Sequence, residues 1–156
     1  MAADLHLTAD DFNTPLTNAP AKTPVAWSNG AVVTELQFTG TNQTATRLID
    51  LTGFTSAVSV KIRWKANATT GTAQLQARML AHGVGAGSSV ESHAFAAGSN
   101  ATTTTAANAN DINETTIALA ALDSATAAKT AVLEIGKIGG TIAVSVNVFE
   151  VKVNLT

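Results

Sequence analysis

The sequence predicts an all-β fold, an antiparallel β-sandwich of the jelly-roll kind. Three observations lead there. Apolar residues recur with a period of two through most of the chain, and no segment keeps a helical period. Roughly seven to nine such segments occur, each with one dry and one wet face, as antiparallel strands have. Two sheets with one dry face each are satisfied by closing on one another.

Taken in order, "DLHLT" places Leu5 and Leu7 on one face of a short first strand. The three prolines, Pro15, Pro20 and Pro24, then fall close together. Proline has no N–H to give to a ladder, so residues 9–28 are expected to form an extended arm or edge segment. "AVVTELQF" sets Val32, Leu36 and Phe38 on one face and Glu35 and Gln37 on the other. "TRLIDLTGF" brings Ile49 and Leu51 together and ends at a turn on Gly53.

The stretch "AVSVKIRWKANATTGTAQLQARML" predicts a hairpin. Val58, Val60, Ile62 and Trp64 share one face of its first strand, and Leu75, Ala77 and Met79 share one face of its second. Pairing Trp64 with Leu75, Ile62 with Ala77 and Val60 with Met79 leaves a loop over Ala68-Thr69-Thr70-Gly71, with Gly71 available for a left-handed residue. Residues 82–110 form a long polar loop of small residues, within which "ATTTTAA" has the β-branched content of a strand. "ETTIAL" and "TAVLEI" read as two more strands, and "AALDSATAAK" between them as at most a helical turn. In "TIAVSVNVFEVKVNL", Ile142, Val144, Val146 and Val148 share a face. The phase then flips to Phe149, Val151, Val153 and Leu155, which predicts a β-bulge, a sandwich corner, or a second face buried against a partner.

The chain has 156 residues, so residues 1–156 are read as one domain. Cysteine is absent, which excludes disulfides and thiolate metal sites. The net charge of −2 offers no general attraction to nucleic acid or to an anionic membrane. Only 13% of residues are charged, so the polar surface is mostly Thr, Ser, Asn and Gln, which desolvates readily against another protein. "MAADLHLTADDF" has neither a basic nor an apolar leader segment, and no run approaches a membrane helix in length.

No catalytic constellation is expected. "GAGSS" is not a nucleophile elbow, and "GVGAG" lacks the third glycine, the following helix and the lysine of nucleotide-binding loops. His82, His93 and Glu91 share the long loop without a metal-ligand spacing, so no metal and no cofactor are expected. Asp10 and Asp11 suit a cap or turn.

The basic ladder Lys61, Arg63, Lys65 is the most distinctive polar feature. In the hairpin register Lys61 faces Arg78, and like charges directly opposite destabilise a sheet. A carboxylate should therefore lie close, from Glu35, Glu134, Glu150 or a partner. Trp64 points to the dry side, so the aromatic interleaving of a nucleic-acid surface is missing.

The segments "ADLHLTADDF", "ATRLIDLTGF", "VSVKIRWKANATTGTAQLQARML", "NETTIAL" and "FEVKV" together resemble the small jelly-roll structural proteins of tailed bacteriophages. The resemblance implies a virion structural protein and no enzyme: a capsid decoration (cement) protein on the capsid surface, made in the host cytoplasm. Its partners would be the major capsid protein and copies of itself in a dimer or trimer, with no nucleic acid and no membrane. Contact residues would be Leu5, Phe12, Trp27, Phe95, Lys61 and Arg78. The alternative is a tail or baseplate module that binds host-surface glycans, with Trp27 and Phe95 as aromatic platforms.

Overall fold

The computed structural model describes residues 3–51, 57–83, 91, 93–120 and 129–156. Among these, the strands are β1 (Ala3–Thr8), β2 (Ala21–Ala26), β3 (Val32–Phe38), β4 (Gln43–Asp50) and β5 (Ala57–Lys65). They continue with β6 (Thr72–Gly83), β7 (Ser99–Thr104), β8 (Asn113–Ala118), β9 (Lys129–Gly140) and β10 (Val146–Leu155). One antiparallel sheet runs β2-β3-β10-β5-β8, and the second runs β4-β9-β6-β7. Their inner faces share one core, in which Phe12, Leu36, Phe38, Ile62 and Trp64 meet Leu75, Met79, Leu133 and Ile135. The expected antiparallel β-sandwich is the observed fold.

The first sheet is organised on β10. One edge of β10 pairs with β5 along its whole length. The other edge is shared: Val146–Val148 pair with β3, and Glu150–Leu155 pair with β1. The phase flip in "NVFEV" is a bulge. Val148 opposes Trp64 and Glu150 opposes Arg63, so Phe149 is the extra residue. Val148 and Val151 thereby both reach the core, while Phe149 goes to the outer face. β10 begins only at Val146, and Val144 ahead of it is exposed.

The hairpin expected over residues 57–80 does not form. β5 lies in the first sheet, between β10 and β8, and β6 lies in the second, between β9 and β7. The segment after Lys65 crosses from one sheet to the other, with Gly71 at φ +105°. Both arrangements bury the same residues. Val60, Ile62 and Trp64 can meet Leu75, Ala77 and Met79 side by side in one sheet or face to face across a core, and period-two alternation is identical in the two cases. Lys61 and Arg78 consequently do not oppose each other. Val58, expected on the dry face, is exposed, because the β5–β10 register shifts there and Ala57 takes the buried place.

Residues 9–28, expected to form an extended arm or edge segment, include the sheet-edge strand β2, and the strand ahead of them is tied down. β1 pairs over its length with β10, and Leu7 is buried. A 3₁₀ turn, Ala9–Asp11, follows, in which the Thr8 amide donates to Asp11 Oδ2 at 2.7 Å. Phe12 is a core residue at 1% exposure, so it is closed to a partner. Pro24 sits in β2, the edge strand, where a missing N–H is tolerated. The strand expected in "ATTTTAA" is β7. The Gly53 turn and most of "AALDSATAAK" lie outside the described residues, as do residues 84–90 and 92 of the long loop.

Candidate functional site

The site lies at the tip of the β2–β3 hairpin, on the outer face of the first sheet. The ladder closes at Ala26–Val32. Beyond it the Trp27 amide donates to the Ala31 carbonyl at 2.7 Å, and the Gly30 amide donates to the Trp27 carbonyl at 2.8 Å. Gly30 has φ +86°, a conformation that an L side chain resists, and Asn29 Oδ1 accepts the Ala31 amide at 3.0 Å. This tight tip holds the half-buried Trp27 over the sheet rather than in solvent.

Glu35 fixes the indole. Its side chain is fully buried although it sits on the outer face of β3. Its Oε1 accepts from Trp27 Nε1 at 2.8 Å and pairs with Lys65 Nζ at 2.9 Å. The same ammonium lies 5.1 Å from the centroid of the Trp27 ring, within cation–π range. Phe149, brought out by the bulge, packs edge-on against Trp27 with ring centroids 5.5 Å apart. An indole, a benzyl ring, a carboxylate and an ammonium from four separate segments thus make one small assembly.

Beside it opens a cleft of about 300 Å³, lined by Ala26, Trp27, Ser28, Asn29, Lys65, Asn110 and Ile112. That volume is at the small end of ligand sites. The far wall is a loop ahead of β8. Asn110 adopts φ +62° and its amide donates to the Ala66 carbonyl at 2.8 Å. The Asn113 side chain pins this loop, accepting the Ala106 amide at 2.7 Å and donating to the Asp111 carbonyl at 3.1 Å. Ile112 is left 56% exposed at the cleft edge, an apolar group with no core to join.

The basic ladder is neutralised. Arg63 lies between Glu114 and Glu150, 3.1 Å from each, and Lys61 is 3.6 Å from Glu114. Hydrogen bonding to Arg63 holds the Glu114 carboxyl below its usual range, and the same bonds raise the Arg63 guanidinium. On the second sheet Arg78 meets Glu134 at 2.6 Å and covers the Phe95 ring at 4.8 Å. Lys61 and Arg78 do each have a carboxylate, although the register that suggested one was wrong. Glu134 serves Arg78, and Glu114, opposite the ladder on β8, serves Lys61.

The six expected contact residues therefore do not share a surface. Trp27 borders the cleft, and Lys61 lies elsewhere on the same sheet face. Phe95 and Arg78 are on the other sheet, Leu5 packs partly against the core, and Phe12 is inside it. Sequence reasoning assigned none of Glu35, Lys65, Phe149, Asn29, Asn110 and Ile112 to a ligand site, although it named Glu35 as a candidate carboxylate for the basic ladder, and Glu35 does pair with Lys65. The readable signals were the phase flip at Val148-Phe149 and the "WSNG" turn after β2. His82 and His93 stack edge-on at 5.7 Å, and no group of three metal-ligating side chains occurs among the described residues.

No protein-family model matches the chain, and no curated protein matches it. Solved structures do. The chain is similar to the CBM36-1 domain of a multidomain xylanase from the hindgut metagenome of Trinervitermes trinervoides, with a TM-score of 0.56 and 9% identity over 97% of this chain and 96% of that one. It is similar to CsCBM6-3 of Clostridium stercorarium, solved with cellobiose, with a TM-score of 0.53 and 15% identity over 94% of this chain and 90% of that one. It also matches part of the mosquito-larvicidal Cry4Aa toxin of Bacillus thuringiensis, with a TM-score of 0.55 and 9% identity over 98% of this chain and 23% of the toxin. These likenesses define the class by fold: a β-sandwich of the kind seen in carbohydrate-binding modules. The expectation of a capsid decoration protein is corrected by them. Its support was a strand-and-turn pattern, and the fold that this pattern encodes is shared with a module of a xylanase and with a module solved with cellobiose.

Proposed function

We propose that this protein is a non-catalytic glycan-binding module and that the Trp27 cleft holds the sugar. One observation carries the reading: a half-buried indole, locked by a buried carboxylate, borders a small cleft whose polar groups are amides, a hydroxyl and an ammonium. A sugar ring has an apolar C–H face and a rim of hydroxyls. The indole and Ile112 suit the face, and Ser28, Asn29, Asn110 and Lys65 suit the rim. The lining offers groups that hold a ligand, and a preset indole loses little freedom when it does so. The fold, shared with the modules named above, supports the same reading.

Titration with xylo- and cello-oligosaccharides tests it, read by calorimetry and by tryptophan emission. Trp64 is fully buried and bonded to Thr115 Oγ1 at 2.9 Å, so a ligand-induced change reports Trp27. Trp27→Ala should lower affinity at least tenfold, about 1.4 kcal/mol. Unchanged affinity in that variant, or no binding across a broad glycan panel, would refute the assignment.

A further inference from the structure

We infer that the cleft selects an acidic glycan, one that carries a hexuronate carboxylate, and that Lys65 reads that carboxylate. The inference rests on the glycan-binding reading above and names its ligand class. Lys65 is the one charged side chain in the cleft lining. Its side chain is only 13% exposed, yet it reaches the cleft. An ammonium has three donors. One goes to Glu35 Oε1 at 2.9 Å, and among the described residues no second acceptor takes another.

The counter-ion is placed where it does not cover the cation. Glu35 is fully buried beneath Trp27, so the pair presents its positive end to the cleft. A carboxylate bound about 3 Å from Nζ would be about twice as far from Glu35, and Coulomb energy falls with distance, so roughly half of the attraction survives. Asp111 is exposed beside the far wall, its Oδ1 occupied by the Ile112 amide at 3.1 Å, and water screens it. Position matters as much as charge. Lys65 Nζ lies over the Trp27 ring, 5.1 Å from its centroid, and both residues line the cleft, so a sugar seated there beside the indole can set an exocyclic carboxylate against the ammonium. A neutral hydroxymethyl group at that point would make a bond of roughly half the strength.

The test first changes the ligand on the unaltered protein and then repeats the comparison on Lys65→Gln. A glucuronate-bearing oligosaccharide is compared with the same molecule after its carboxyl is reduced to hydroxymethyl, and a galacturonate oligosaccharide is treated likewise. Calorimetry and Trp27 emission are read at low and at high salt. For at least one uronate, the acid form should bind tenfold or more tighter than its reduced form, and the gap should narrow with salt. Lys65→Gln should abolish the gap. Equal affinity for both forms overturns acidic selectivity and leaves the glycan-binding reading standing. No binding of any of these or of neutral oligosaccharides overturns both. A preference that leaves Trp27 emission unmoved places the acid-reading group elsewhere and also overturns the assignment to Lys65.

Discussion

Replacing Glu35 by glutamine should cost more than a surface carboxylate ever does. Glu35 is fully buried, and its Oε1 serves both Trp27 Nε1 and the 13% exposed Lys65. Glutamine keeps an acceptor of the same shape but removes the charge, leaving a desolvated ammonium without its counter-ion. Hydrogen bonds to charged groups contribute about 1.5–3 kcal/mol, and breaking one side of a buried pair costs about 3–5 kcal/mol. Because glutamine retains one bond and Lys65 keeps some water, a loss of about 2–3 kcal/mol is expected. For a domain of this size that lowers Tm by about 5–10 °C. The double variant Glu35→Gln/Lys65→Met removes both charges and should recover at least half of the loss. Urea denaturation followed by circular dichroism, run as a full double-mutant cycle, measures the coupling. A loss below about 0.5 kcal/mol for Glu35→Gln, or a double variant no better than the single, would refute a coupled buried pair.

Three other outcomes follow from the same geometry. Burial lowers the Lys137 amine below its usual 10.5, so the folded state binds fewer protons than the unfolded state and stability rises with pH through that window. Lys137→Met should therefore stabilise the protein at pH 7 by about 1 kcal/mol in urea melts, and the advantage should shrink as pH rises past the free amine's value. The Glu114 carboxyl is depressed by its bond to Arg63, so its contribution is present above the unfolded value and lost as pH falls through the folded one. Glu114→Gln should flatten the acid limb of a Tm-against-pH curve, and an unaltered limb counts against the Arg63 bridge. At Gly140, with φ +112°, an added Cβ would overlap the Thr72 carbonyl oxygen. Gly140→Ala should destabilise by about 2 kcal/mol or more, visible as a lower urea midpoint.

The alternation of single strands was legible; their partners were not. β4, β8 and the Val151–Leu155 half of β10 present the faces that their side-chain pattern predicts, whereas in β3 Leu36 and Phe38 are buried as expected but Val32, at the strand's start, is 69% exposed. Residues 57–80 show the limit, since Trp64 and Leu75 belong together whether they are neighbours in a sheet or facing layers. Glu35 shows a second one. As the polar residue of an alternating strand it read as wet, and it is dry because the tryptophan of the turn leading into β3, itself packed by a bulged phenylalanine from the chain's far end, caps it.

By itself the sequence determined that this chain is all-β, with one core and little charge, because side-chain alternation and backbone propensity are local properties. The tertiary structure alone decided which strands lie side by side and where a ligand could sit. The hairpin carrying Trp27 and Glu35, Lys65, Asn110 and Phe149 are far apart in the chain, and they meet because β10 lies between β3 and β5 while a loop ahead of β8 folds over Ala66. That juxtaposition depends on sheet order, and sheet order is a long-range choice among packings that bury the same residues.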